Sequence, residues 1–225
     1  MKFTALFFLI CLFLSFTSSA FAYDPASHPN NKFGIHILFP SELAQAAKLV
    51  NSSGGDWGYV TIPIQYTDRD IVKWQQFMDD CQTYHLIPII RLATDPFYDN
   101  TNVWRKPNEY DILDFANFLN SLDWPVKNRY IVLYNEVNRF DEWGGEAPSP
   151  KDYADLVTFA ETTFKQINPD FYLILGGLDN ASPNDGVKYY DNFVYLREMG
   201  NYNPDVFKNI DSKPGQIFVN LGFRF

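Results

Sequence analysis

The sequence predicts an α/β protein of the (β/α)8 TIM-barrel type, incomplete, with about five to six βα units. Two observations carry this. From Lys32 onward, short runs rich in β-branched and aromatic residues alternate with longer stretches whose apolar residues recur at steps of three and four. Strict alternation of that kind means a parallel sheet covered by helices. The second observation is where the long connections fall. They follow the third and fourth strands, on the side of a barrel where sites are built. A doubly wound sheet is the competing architecture. It would place a Gly-rich phosphate turn after its first strand, and Phe33–Ser41 (FGIHILFPS) has none.

Each element follows from its own residues. Phe33–Leu38 (FGIHIL) reads as the first strand. Ser41 is placed to cap a helix whose positions Leu43, Ala46, Ala47 and Val50 share a face. Asp56–Ile64 (DWGYVTIPI) is the second strand. Asp68 can cap the next helix, in which Ile71, Trp74, Met78 and Cys81 fall on one side. Leu86–Ala93 (LIPIIRLA) is a third strand, an unbroken apolar run suited to burial on both faces. After the polar and aromatic loop Thr94–Lys106, Pro107 opens a helix holding Ile112, Phe115, Phe118, Leu119 and Leu122. Arg129–Tyr134 (RYIVLY) is the fourth strand and runs straight into Asn135 and Glu136. A second long loop, Arg139–Ser149, ends at Pro150, a first-turn proline. The helix it opens buries Tyr153, Leu156, Val157, Ala160, Phe164 and Ile167. Phe171–Gly176 (FYLILG) is the fifth strand. An amphipathic segment over Tyr189–Met199 follows, and Pro204–Ile210 (PDVFKNI) reads as the lead-in to a sixth strand.

The ends of the chain stand apart from this pattern. Residues 1–22 read as a signal peptide: Lys2, an apolar run over Phe3–Phe16, then Ala20, Phe21 and Ala22 in an A-x-A ending. Cleavage after Ala22 implies export to a secreted or extracytoplasmic location. A retained anchor is the alternative, but the run is shorter than the roughly 20 residues a membrane span needs. Residues 23–211 form the partial barrel domain, and residues 212–225 are an irregular tail.

Composition excludes several function classes. With 18 basic against 27 acidic residues the net charge is −9, which repels phosphate backbones, so nucleic acid is not an expected partner. Of the 2 cysteines only Cys81 survives leader removal, so no intramolecular disulfide is expected. Its place on an apolar helix face suggests a buried, inert thiol. His28, His36 and His85 are scattered without ligand spacing, so no metal site is expected. No phosphate loop or nucleophile elbow is present, and no cofactor is implied.

The strongest chemical signal is Tyr134-Asn135-Glu136-Val137-Asn138. A carboxylate at the carboxyl end of a buried parallel strand is costly unless it faces a cleft, where a neighbour such as Asn135 can bond both substrate and carboxylate. Glycoside cleavage needs one carboxylic acid to protonate the leaving oxygen and a second carboxylate to attack or to activate water. Partial burial raises a glutamate's pKa towards the first role. The alternative is structural: Glu136 caps the strand end or pairs with Arg139.

An Asn-Glu pair closing the fourth strand resembles the large barrel clan of retaining glycoside hydrolases that includes cellulase-like and xylosidase-like families. The resemblance covers the order of elements from about Phe33 to Ile210. It implies that Glu136 is the catalytic acid/base and that Asn135 binds the sugar's 2-hydroxyl, with carbohydrate as the partner. Further substrate-binding candidates are His36, Arg91 and Trp143. His36 lies where inward polar residues hold sugar hydroxyls, or it is a satisfied core histidine. Arg91 near the end of an apolar strand demands a carboxylate partner. Similar enzymes use an arginine near the nucleophile; a structural pair with Asp95 or Glu136 is the alternative. Trp143 and Trp104 either stack on sugar faces or pin their loops. Asp141, Glu142 and Glu146 are expected to be solvated loop acids.

The resemblance also implies a nucleophilic glutamate at the end of a seventh strand. A full barrel takes about 250 residues. Asp211–Phe225 (DSKPGQIFVNLGFRF) breaks the βα pattern and contains no glutamate. The tail therefore reads as truncated or frameshifted, unless the whole is a small fold resembling half a barrel. The expectation is a secreted glycoside hydrolase-like protein acting on O-glycosidic bonds of a polysaccharide or oligosaccharide, with weak or no activity. The alternative is a non-catalytic carbohydrate-binding or surface protein using the same cleft.

Overall fold

A computed structural model describes residues 32–211. The leader over residues 1–22, His28 and the tail over residues 212–225 lie outside the described residues. Five strands form one sheet: β1 (Gly34–His36), β2 (Gly58–Gln65), β3 (Leu86–Ala93), β4 (Arg129–Asn135) and β5 (Phe171–Gly177). All neighbours are parallel, and their order is that of the sequence. Sequential order separates the two architectures. A doubly wound sheet must reverse direction about an inner strand, whereas a barrel adds each strand beside the last. The chain is an α/β fold of the partial barrel type.

Between strands run α1 (Leu43–Val50), α2 (Ile71–Thr83), α3 (Glu109–Asn120) and α4 (Pro150–Ile167), with α5 (Asn192–Tyr202) and a short α6 (Val206–Asn209) after β5. Helix starts follow local side chains. Asp70 accepts from the amides of Val72 and Lys73, two residues beyond the expected cap Asp68, which instead pairs with Lys73. Asn108 and Asp111 form a reciprocal cap on α3, and Ser149 accepts from Asp152 N at 3.1 Å on α4. Ser41 caps nothing. It sits in a 3-10 turn, Pro40–Glu42, whose Glu42 carboxylate takes the amides of Leu38 and Phe39. The expected sixth-strand lead-in, Pro204–Ile210, is also corrected. Its Val206 and Ile210, four apart, are both buried on the main core, so the segment turns as the helix α6.

The core lies between the sheet's outer face and the helices. Val60, Ile62, Ile64, Leu86, Ile90, Leu92, Ile131, Leu133, Leu173 and Leu175 meet Trp74, Phe77, Met78 and Cys81 from α2. They also meet Ile112, Phe115 and Leu119 from α3, and Tyr153, Val157, Ala160 and Phe164 from α4. Cys81 is wholly buried, and burial pushes its thiol pKa well up. The inner face is less covered. Tyr59, Tyr130 and Tyr172 stand edge to face across three strands, at 6.2 and 5.3 Å between ring centres. Tyr130 and Tyr172 share a register row with Thr61 and Ile89, and the next inward row towards the strand ends is Pro63, Arg91, Val132 and Ile174.

Candidate active site

The site forms where β4 parts from β3. Pairing of β3 with β4 stops at Arg91↔Val132, whereas β4 stays with β5 up to Asn135↔Gly177. Two residues on the departing end hold left-handed backbone, Tyr134 (φ 67°) and Glu136 (φ 42°). For residues with a Cβ this costs on the order of 1–3 kcal/mol each and needs surrounding structure to hold it. That structure is visible. The Tyr153 hydroxyl donates to Leu133 O at 2.8 Å and accepts from Gly176 N at 3.0 Å, joining the two strands beneath the kink. Glu136 N donates to Gly177 O at 2.7 Å. Only glycine fits at 176, because a Cβ there would lie 2.6 Å from Leu133 O and 2.9 Å from Tyr134 O.

The gap between the strands is a small open cleft, lined by Arg91, Leu92, Ala93 and Thr94 on one side and Tyr134, Asn135 and Glu142 on the other. Trp104 and Pro107 complete its wall. The two long loops close over it because they are stitched together. Trp104 N donates to Asp141 O at 2.7 Å, and Gly144 N donates to Trp104 O at 2.9 Å. Gly144 has φ 74°, with Lys106 Cβ 3.0 Å from where its own Cβ would stand, so a larger residue would open the stitch. Asn138, fully buried, bonds both ways to the backbone of Asp179 and to Tyr190 O, anchoring the other side.

The residues singled out by the sequence divide as follows. Arg91 and Asn135 line the cleft, and Glu136 follows Asn135 at the end of β4. Arg139 Nη1 lies 3.6 Å from Glu136 and 3.2 Å from Asp179, and its Nη2 lies 2.6 Å from Asp141. The structural pairing of Glu136 with Arg139 is thus present. Arg91 makes no direct ion pair among the described residues, and its buried Nε has no hydrogen-bond partner. Burial lowers its pKa, while the charges of Glu142 and Glu136 oppose the drop. The suggested pair with Asp95 does not form, because Asp95 is taken by Thr67 N and Oγ1. His36 sits one inward row below Arg91 on β1. More than a third of its surface is exposed, yet the protein packed around the rest, with the Arg91 charge, pushes its pKa down to about 4. Trp143 is 1% exposed and packs edge-on against Tyr153, so it pins the loop from behind and offers no face to a sugar. Of the two tryptophans weighed, Trp104 is the one on the cleft.

Glu142 is the residue the sequence does not reveal. Among the three loop acids, Asp141 is bound to Arg139 and Glu146 faces Lys106, but Glu142 turns inward. Its Oε1 is 3.5 Å from the Asn135 amide nitrogen. Burial first, and then the charge of Glu136, push its pKa up to about 7, with Arg91 pulling the other way. The cleft therefore holds two carboxyl groups in different environments, one arginine and one amide. Among the described residues no cluster of three or more metal-ligating side chains occurs, and no helix is long and apolar enough to cross a membrane.

Fold and cleft define a barrel-type α/β protein with a carboxyl-bearing site at the carboxyl ends of its strands. No protein-family model matches the chain, and no curated protein matches its sequence. Among solved structures it is similar to a GH39 beta-xylosidase from Caulobacter crescentus, with 18% identity and a TM-score of 0.47 over 70% of this chain. The chain spans 41% of that enzyme's length. Neither the residues nor the chemistry of the site follow from a similarity of that size.

Proposed function

We propose that this is an exported, glycoside hydrolase-like protein whose cleft binds carbohydrate, with Asn135 and Glu136 placed at the O-glycosidic bond. One observation carries the reading: a polar Asn-Glu pair ends β4 on strained backbone beside a cleft that also holds Arg91 and an aromatic wall, Trp104. Left-handed backbone at Glu136 fixes the direction in which its side chain leaves the strand end. Sugars suit this lining, because amide, carboxyl and guanidinium groups meet hydroxyls while an indole meets the apolar ring face. Asn135 is the ligand for a ring hydroxyl, and Glu136 supplies a carboxyl at the bond.

Binding without turnover is the second reading, and one contact favours it. The Arg139 guanidinium stands 3.6 Å from Glu136, a structural ion pair that occupies the carboxyl the first reading needs at the bond. Calorimetric titration of the full chain with β-1,4-linked xylo- and cello-oligosaccharides, together with aryl-glycoside hydrolysis, separates the readings. Binding weakened at least tenfold by Asn135→Ala and Trp104→Ala supports a carbohydrate site. Turnover abolished by Glu136→Gln adds catalysis. No binding to either sugar series would falsify the proposal. Export is checked by N-terminal sequencing of secreted protein, which should begin at Tyr23.

A further inference from the structure

We propose that Glu142, turned into the cleft beside Asn135 and Arg91, carries the proton this cleft offers to a ligand at neutral pH. The assignment rests on the carbohydrate reading only for what the proton is used for. Where the proton sits is a property of the unliganded chain.

Three geometric facts bear on Glu142. Glu142 lines the cleft beside Asn135 and Arg91, its Oε1 3.5 Å from the Asn135 amide nitrogen. A guanidinium, Arg139, stands 3.6 Å from Glu136, and no ion pair to Glu142 forms among the described residues. The same Arg139 is fixed by Asp141 and Asp179, so it cannot swing from Glu136 to Glu142 without breaking both contacts. The charged and polar groups facing Glu142 are Glu136 and Asn135 at the end of β4, Arg91 from β3 and its neighbour Asp141. Two of these are anions that resist a further negative charge. Arg91, the one cation among them, makes no direct ion pair to it. Burial acts in the same direction and pushes the Glu142 pKa up to about 7.

The consequence is chemical. A neutral carboxylic acid donates one hydrogen bond and accepts others, so Glu142 can meet a sugar hydroxyl or an acetal oxygen as a donor, which an ionised glutamate cannot.

The test is a carbon-13 titration of glutamate side-chain carboxyls in the full chain, assigned through bonds in the unsubstituted protein so that it does not depend on a variant folding. The expected result is a Glu142 midpoint near 7. It is absent in Glu142→Gln, and it moves down in Glu136→Gln as the repulsion is removed. A Glu142 midpoint in the ordinary range of about 4.3 overturns the proposal. If no oligosaccharide binds and the Glu142 midpoint is still near neutral, the carbohydrate reading fails while this assignment holds. If sugars bind but Glu142 titrates normally, the outcome is the opposite.

Discussion

Replacing Tyr153 by phenylalanine removes a single oxygen atom from the interior, and the structure says what that atom does. The ring is 1% exposed and leans edge-on against Trp143 at 6.2 Å. Its hydroxyl donates to Leu133 O and accepts from Gly176 N, at 2.8 and 3.0 Å. These backbone groups flank the point where Tyr134 enters left-handed conformation and the strand kinks. Phenylalanine fills the same space but leaves one carbonyl and one amide buried without partners. Each orphan costs about 1–3 kcal/mol, so with partial relaxation the loss should be about 2–4 kcal/mol. That is a large share of the 5–15 kcal/mol typical of a domain. Urea denaturation should show a lower midpoint with an unchanged slope. Tyr195→Phe is the control, because that buried hydroxyl makes one bond, to Ser149 O at 3.2 Å, and should cost only about 1 kcal/mol. A loss below about 0.5 kcal/mol for Tyr153→Phe, or one no larger than the control's, would refute the idea that this hydroxyl splices β4 to β5.

Three further outcomes are expected. Asp111, 2% exposed, accepts both Arg105 nitrogens at 2.8 and 2.9 Å and also Asn108 N at 2.9 Å. Asp111→Ala should cost about 3 kcal/mol in the same denaturation assay, towards the low end for a broken buried pair because Arg105 can still reach water. Glu142 binds its proton more tightly folded (about 7) than at its ordinary 4.5. That contribution is complete below pH 4.5 and is lost as pH rises through 7, so Glu142→Gln should gain stability relative to the parent over this window, by at most about 3 kcal/mol. His36 behaves oppositely. Its folded pKa of about 4 lies below the ordinary 6.5, so its contribution is present above pH 6.5 and lost as pH falls through 4. A proton-NMR titration of the His36 ring should give a midpoint near 4, and a midpoint near 6.5 would show that the ring is solvated and distant from Arg91.

Much of the fold was legible because it depends on each segment's own residues. The run LIPIIRLA reads as a buried strand, and Ser149-Pro150 as a helix start, from their own residues. Misreadings fell where local signals were weak or shared. Val206, Phe207 and Ile210 have strand-like chemistry, but Val206 and Ile210 bury together at a spacing of four and make a turn of helix. Trp143 and Trp104 are equivalent in sequence terms, each an aromatic on a long loop. Which one lines the cleft depends on Tyr153 arriving from α4 to receive Trp143.

The sequence by itself determined the alternation of strands and helices and the position of Asn135 and Glu136 at the end of β4, since periodicity and strand ends are local properties. Tertiary structure alone decided the sequential strand order and the partner of Glu136. It also decided the inward turn of Glu142, six positions further along an acidic loop. That turn requires Trp104 from the previous loop to bond across Asp141 and Gly144. Contacts between segments forty residues apart leave no mark in the spacing of either one, so the second carboxyl of this site could be found only in three dimensions.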